Sequence, residues 1–293
     1  MKELFEYKPD EIEDVLTCPW CSSKSWQPWG VPNRNFPPVK CNACGVVFLN
    51  RRLNEKGRKR FYQSYVRIHE TPERLKPRLK MYEMEYNLIS NIVTQGNLLD
   101  VGCGSGRFIS QFPSERYRRF GIEYGGEAVN KACQIIEPNF VYEGDLLNSP
   151  FQKEYFDLII FRGVLEHLSN PRETLNKACS LTKKGGCIFI TSMPNLECVC
   201  AEIFRSYWTQ HREFEHIVHF GKSHFRNFFK ENGFVEILDK ELYWDTPYAS
   251  PEDDILQVTE AIRMRRNGKH SLNKVSPAFW GNVLSMVFKK LGN

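Results

Sequence analysis

The chain has no run of about 18 uninterrupted apolar residues, which excludes a transmembrane helix of ordinary length. It also lacks the cationic start of an export signal: Glu3, Glu6, Asp10, Glu11, Glu13 and Asp14 crowd that stretch instead. Without export, ten cysteines point to metal ligands or free thiols rather than a disulfide framework, and to a cytoplasmic location. A strong charge imbalance is missing too. The net charge of +5 does not by itself demand a nucleic-acid partner. What remains is a 293-residue chain, 41% hydrophobic and 13% aromatic, long enough for one large domain and a small appendage.

The most informative stretch is 97–107, Asn-Leu-Leu-Asp-Val-Gly-Cys-Gly-Ser-Gly-Arg. An apolar run ends in three alternate glycines, Gly102, Gly104 and Gly106, and an amphipathic segment follows. The pattern predicts a buried strand turning tightly into a short helix over 107–112, stopped by Pro113. Glycines suit such a turn because a Cβ would block a ligand from the backbone. Exposed N–H groups at the helix start favour a ligand carboxylate or phosphate.

Residues 118–122 read as a second strand ending at Glu123, where an ionised carboxylate can accept two ribose hydrogen bonds. A solvated strand-end charge is the plainer alternative for it. A third strand at 140–143 precedes Gly144-Asp145-Leu146-Leu147, which places Asp145 to accept from the exocyclic amine of adenine. Strands at 156–161 and 187–191, with helical patterns at 127–136 and 172–182, complete an alternating series. The fold class is therefore α/β, a parallel, doubly wound sheet with ligands at the carboxyl ends of its strands. Asp100 either faces that ligand or caps the turn. Cys103 reads as a packing residue, since no histidine or basic cluster lies near it in sequence. A nicotinamide dinucleotide site requires Gly-x-Gly-x-x-Gly, and Arg107 occupies the third glycine position.

The set Asp100-x-Gly102-x-Gly104-x-Gly106, Glu123, Gly144-Asp145, Leu165-Glu166-His167 and Lys184-Gly185-Gly186 resembles the class I S-adenosylmethionine-dependent methyltransferases over about residues 80–290. The resemblance implies a Rossmann-like seven-stranded sheet with its last strand antiparallel, and S-adenosylmethionine as cofactor. It also implies a cofactor-lining set of Asp100, Gly102, Cys103, Gly104, Gly106, Glu123, Tyr124, Asp145, Leu146 and Arg162. A helix at 223–232, a strand at 235–238 and a final strand at 283–288 would close the sheet. The charged insertion 251–277 exceeds the usual length of a connection and could border the substrate.

Ahead of this domain, Cys18-Pro19-Trp20-Cys21 and Cys41-Asn42-Ala43-Cys44 are separated by 19 residues. Two such knuckles can complete a closed tetrahedral Zn²⁺ site with Cys18, Cys21, Cys41 and Cys44 as ligands. With no open position for water, its role is structural. A segment of this size has too little core to fold unaided, and metal binding can supply that deficit. Residues 45–49 read as a ribbon strand and 33–38 as a loop. Cys198 and Cys200 read as ordinary thiols. The expected organisation is a zinc ribbon at 1–55, a helical bridge at 56–95 and a methyltransferase domain at 96–293. That domain would carry an acceptor cap near 195–221 and an insertion near 246–278. On the bridge, Met81, Met84, Leu88, Ile92 and Val93 recur at roughly helical spacing. The ribbon with Phe61-Tyr62-x-x-Tyr65 is similar to N-terminal modules on bacterial methyltransferases that decorate glycans and nucleotide sugars.

Methyl transfer to a hydroxyl needs a positioned nucleophile and removal of its proton. Glu166 and His167 follow the fourth strand and meet that positional test. Beyond the fifth strand, Trp208-x-x-His211 and Glu215-His216-Ile217-Val218-His219-Phe220 resemble the cap of the glycan-tailoring relatives. His216 and His219 lead as bases, because histidine titrates near neutrality and three-residue spacing could put both on one helical face. A structural histidine bonded to a backbone carbonyl is the competing reading for each.

Absences narrow the acceptor. No Asn-Pro-Pro-Tyr-like run follows the fourth strand, which disfavours methylation of base amino groups, and no Pro-Cys pair suggests 5-methylpyrimidine chemistry. The leading expectation is methylation of a saccharide, on oxygen ahead of carbon with both left open, and with a nucleotide sugar or surface-glycan intermediate as acceptor. The alternatives are an RNA methyltransferase whose ribbon grips RNA, a quinone or natural-product O-methyltransferase, and a catalytically silent binding module. Two basic clusters, Arg51, Arg52, Lys56, Arg58, Lys59 and Arg60, and Arg263, Arg265, Arg266 and Lys269, are either solvated faces or phosphate-docking surfaces.

Overall fold

A computed structural model describes residues 5–30, 36–63, 70–137, 140–268 and 275–292. Glu3, Tyr65, Lys269, positions 33–35 of the loop at 33–38 and positions 269–274 of the insertion lie outside the described residues. Among the described residues no helix is long and apolar enough to cross a membrane.

Five short strands come first: β1 Ile12–Asp14, β2 Trp26–Pro28, β3 Pro38–Cys41, β4 Val47–Leu49 and β5 Arg51–Leu53. β2, β3 and β4 form an antiparallel meander, and β1 pairs with β5. Helix α1, Glu55–Tyr62, starts at Asn54, whose side chain accepts from the Gly57 amide. Four members of the first basic cluster face the acidic N-terminal stretch. Arg52 and Arg58 pair with Glu13, at 2.7 and 3.2 Å, Arg60 pairs with Glu11 at 2.7 Å, and Lys56 pairs with Asp10. These four cations fasten the N-terminal stretch to β5 and α1, which corrects the phosphate-docking alternative for them. Complementary charges 39 to 49 positions apart in sequence meet only because β1 returns to β5.

Helix α2, Pro72–Ile89, opens with proline at its first turn and buries Met81, Tyr82, Glu85 and Ile89. The main sheet follows: β6 Gly96–Val101, β7 Tyr117–Glu123, helix α3 Gly126–Ala132, β8 Val141–Glu143, β9 Phe156–Arg162, helix α4 Pro171–Leu181 and β10 Thr182–Pro194. Then come helix α5 Val199–Phe204, β11 Val218–His219, helix α6 Lys222–Glu231, β12 Phe234–Lys240, helix α7 Pro251–Arg266 and β13 Val283–Lys290. The sheet order is β12-β13-β10-β9-β6-β7-β8. Only β13 is antiparallel to its neighbours. This is the seven-stranded α/β methyltransferase fold. Leu158, Ile159, Ile160 and Phe161 on β9 are all buried, as a central strand covered on both faces requires.

Three details depart from the sequence reading. The helix expected over 107–112 is a single 3-10 turn, Ile109–Gln111, because left-handed glycines precede it and Pro113 follows closely. The charged insertion holds α7, whose Val258 and Ala261 pack in one cluster with Cys200, Ala201 and Phe204 of α5. The third departure matters most for the site. β11 leaves the main domain and adds a fourth strand to the N-terminal meander, with Val218 opposite Phe48 and His219 opposite Val47. Trp20 packs on Phe220 and Phe228, with ring centroids 5.0 and 5.6 Å apart, and His224 Nε2 lies 3.0 Å from the Cys44 carbonyl. One hydrophobic cluster therefore runs from Cys18 and Phe48 through Phe220 to Phe156. Each fully buried aromatic on this seam contributes roughly 1.5–3 kcal/mol.

Candidate active site

The sheet order reverses between β6 and β9, and their carboxyl ends open a crevice there. Gly102, Gly104 and Gly106 have φ values of +72°, +56° and +79°, a backbone that side chains disfavour. Their surroundings differ. A Cβ on Gly104 would meet nothing within 4 Å, so this position faces open space. On Gly106 it would lie 3.3 Å from Ala132 Cα, so that glycine lets α3 close on the turn. Glu123 at the tip of β7 fastens the turn. Its Oε2 accepts from the Gly104 amide at 2.8 Å, and its Oε1 accepts from the Tyr124 and Gly125 amides at 2.8 and 3.0 Å.

Two cavities meet over this turn, sharing Gly102, Gly104, Gly163 and His167 as wall. One, of about 520 Å³, is lined by Glu123, Tyr124, Asp145 and Leu146. Asp145 holds a tight turn there, accepting from the backbone and side-chain nitrogens of Asn148. The other, of about 450 Å³, is lined by Asp100, Cys103, Arg162, Glu166 and His216. The Cys103 thiol is pushed well up by burial, which keeps it inert. Asp100 is 2% exposed, its Oδ1 has no hydrogen-bond partner, and burial pushes its pKa up to about 8. Such a carboxylate suits a ligand that brings its own positive charge.

Arg162 is engaged from the opposite wall. Its Nε donates to Glu85 Oε2 at 2.6 Å, and its guanidinium stacks 4.4 Å from the Tyr82 ring centroid. Glu85 Oε1 also accepts from Thr191 Oγ1 at 3.0 Å and Ser192 Oγ at 2.5 Å. Sequence reasoning passed over Glu85. The signal was a carboxylate one helical turn from both Met81 and Ile89, on an otherwise apolar face.

The 3-10 turn Leu165–His167 after β9 brings Glu166 and His167 against His216. The donor atoms of the three lie within 4.8 Å of one another. Burial pushes the Glu166 carboxyl up to about 8, holds His167 down to about 4 and drives His216 well below its ordinary value. His167 Nδ1 lies 2.9 Å from the Tyr62 hydroxyl, and His216 Nδ1 lies 2.6 Å from the Gln210 carbonyl. Tyr62 appeared in the sequence reading only as part of a family signature.

His219 sits apart. The helical face expected for it and His216 does not form, because His219 lies on the two-residue strand β11. Its ring is buried between Trp29 and Trp208, with Nε2 3.1 Å from His211 Nδ1, and it lines neither cavity.

The four knuckle cysteines form a second cluster, with Sγ–Sγ distances of 3.6 Å for Cys18–Cys44 and for Cys21–Cys41. A disulfide needs about 2.05 Å. Sulfurs sharing one tetrahedral Zn²⁺ at 2.3 Å lie about 3.8 Å apart. The donor set fits a four-sulfur metal site.

Comparison with known proteins agrees with this architecture. A methyltransferase-domain family matches residues 66–238. An uncharacterized protein of Methanocaldococcus jannaschii is 28% identical over 114 residues, which is 38% of this chain and 51% of that protein. A ubiquinone biosynthesis O-methyltransferase of a Shewanella species is 26% identical over 101 residues, 33% of this chain and 43% of that enzyme. The chain thus spans about half, or less, of the length of these curated relatives. Among solved structures, a SAM-dependent methyltransferase of Thermotoga maritima superposes with a TM-score of 0.53 at 18% identity, covering 79% of this chain and 97% of its own. The YcgJ protein of Bacillus subtilis gives 0.51 at 18% identity, covering 72% and 100%. These two likenesses speak for the fold, and the family match takes in the glycine turn, the strand-end carboxylates and the Glu166–His167 turn. The chain belongs to the methyltransferase-domain family.

Proposed function

We propose that this chain transfers a methyl group from S-adenosylmethionine to a hydroxyl of a saccharide acceptor, held as a nucleotide sugar or a surface-glycan intermediate. The observation that carries the reading is the pair of cavities joined over Gly102 and Gly104, one ending at Glu123 and Asp145 and the other at Glu166 and His216. The residues present fit the cofactor: open space at Gly104, a strand-end carboxylate at Glu123 and an unpartnered buried carboxylate oxygen at Asp100. S-adenosylmethionine, when bound, supplies a methyl group activated by a sulfonium.

The chain's own residues would do the rest. Asp100 offsets the ligand's positive charge, Glu123 keeps the glycine turn open, and the Glu166–His167–His216 cluster handles the acceptor proton. Arg162, held by Glu85, shapes the wall between them. Polar groups on the cap side, Thr209, Gln210 and Thr246, line the same cavity and suit a hydroxyl-rich acceptor. In this reading the ribbon at 1–55 carries a structural Zn²⁺ on Cys18, Cys21, Cys41 and Cys44. It holds the cap at 195–221, while the bridge at 56–95 supplies Tyr62 and Glu85 to the domain at 96–293 and the insertion at 246–278 borders the acceptor.

A phenolic acceptor is the second reading, favoured by the likeness to a ubiquinone biosynthesis O-methyltransferase. RNA is less favoured, because four cations of the ribbon-side cluster are occupied by Asp10, Glu11 and Glu13.

The test incubates the purified chain and labelled S-adenosylmethionine with nucleotide sugars, quinols and structured RNA. Label on the sugar is the expected result. Label on the quinol alone supports the second reading, and label on RNA, with binding that falls steeply as salt rises, supports the third. Failure of S-adenosylmethionine to bind would overturn all three. On the identified acceptor, His216→Gln is expected to lower turnover by about 10²–10⁴-fold, while His219→Gln leaves cofactor affinity and the chemical step intact.

A further inference from the structure

We propose that Glu166, His167 and His216 form a binding site for a divalent first-row transition ion, with an open coordination position facing the cavity that Asp100 and Ser192 also line. Two imidazoles and one carboxylate make a donor set that suits such ions and leaves room for a further ligand. The geometry is close to what an ion needs. His167 Nε2 stands 3.8 Å from Glu166 Oε1, and all three donor atoms lie within 4.8 Å of one another. Ligands on one tetrahedral ion lie about 3.4 Å apart, so small rotations of these side chains close the set.

Two further observations point to a ligand. Glu166 is 2% exposed, yet its Oε2 has no hydrogen-bond partner, an orphan that an ion would satisfy. Both imidazoles are also held at Nδ1 by other groups, His167 by the Tyr62 hydroxyl and His216 by the Gln210 carbonyl. Metal-ligating histidines are characteristically fixed in this way, with the second ring nitrogen on an outer group and the first on the ion. Arg212 borders the same cavity, but Glu215, 3.2 Å away, offsets its charge.

The proposal rests on the methyltransferase reading for its chemical role. A hydroxyl brought to the open position would become more acidic and lose its proton to water, so the cluster would handle that proton through the ion rather than by accepting it. The oxygen's electron pair would then form the new C–O bond while the C–S bond of the donor breaks, leaving its pair on sulfur as a neutral thioether.

The test uses the full chain with its cysteine site loaded with zinc. Mn²⁺ is titrated and followed by electron paramagnetic resonance, since manganese prefers oxygen and nitrogen donors to thiolates. Saturable binding of one Mn²⁺ per chain is expected. It should be lost in Glu166→Gln and in His216→Ala, weakened about 10–100-fold in Tyr62→Phe, and unchanged in Cys198→Ser. No saturable binding to the wild-type chain overturns the proposal, as does equal binding in Glu166→Gln and His216→Ala. Calorimetry with S-adenosylmethionine on the same samples separates the two readings. Cofactor binding without Mn²⁺ sinks only the metal site, and Mn²⁺ binding without cofactor sinks only the methyltransferase reading.

Discussion

Replacing two neighbouring glycines by alanine should separate folding from ligand binding. At Gly102, φ is +72° and an added Cβ would lie 2.6 Å from Val164 Cγ2. The left-handed backbone costs an alanine about 1–2 kcal/mol, and the clash adds about 1–3 kcal/mol of overpacking. Gly102→Ala is therefore expected to lose about 2–5 kcal/mol of stability. At Gly104, φ is +56° but the new methyl would meet nothing within 4 Å, so only the backbone cost of about 1–2 kcal/mol applies. That methyl would project into the space where both cavities meet, so Gly104→Ala should bind S-adenosylmethionine at least about tenfold more weakly, a loss of about 1.4 kcal/mol or more. Urea unfolding reads the first quantity and calorimetric titration the second. The reasoning fails if Gly102→Ala unfolds at the same urea concentration as Gly104→Ala, or if Gly104→Ala binds the cofactor as the wild type does.

Three other outcomes can be measured. Removing the Zn²⁺ proposed for the knuckles, or Cys41→Ser, should loosen β4 and with it β11; hydrogen exchange should rise at Val218 and His219 while the β6 and β9 amides stay protected. Glu85→Ala should cost about 1–3 kcal/mol, because it leaves the half-buried Arg162 guanidinium and the Thr191 and Ser192 hydroxyls without their shared acceptor, whereas Glu85→Leu combined with Arg162→Met should cost less than that single change in a thermal melt. Asp100 has a folded-state pKa raised to about 8 from 3.8, so the folded chain binds the extra proton and the ligand-free protein should lose stability as pH rises from about 4 to 8. In Asp100→Asn that decline should be shallower across the window, and an unchanged slope in urea titrations would rule out the assignment.

Local chemistry was legible along the chain. Apolar runs marked β6, β9 and the core of β10, because the part of a strand covered on both faces must be apolar. Alternate glycines marked the turn, because few other residues tolerate its backbone, and paired Cys-x-x-Cys knuckles marked a four-sulfur cluster. The strand and turn signals are carried within about ten residues, the range over which strand periods and turn chemistry act, and the two knuckles match each other by a repeated spacing across 19 residues.

Tertiary structure decided the pairings between distant segments. Glu85 meets Arg162 across 77 positions, Tyr62 meets His167 across 105, and His224 meets the Cys44 carbonyl across 180. His216 and His219 look equivalent in sequence, yet a two-residue strand docked on the ribbon sends one to the cavity and the other between two tryptophans. The basic cluster likewise looks like a free face until β1 returns to β5 and lays the acidic N-terminal residues against it. Residue type and spacing record which groups a segment carries. Which of them meet depends on the path of the chain between, and that path follows from burying all the apolar faces together.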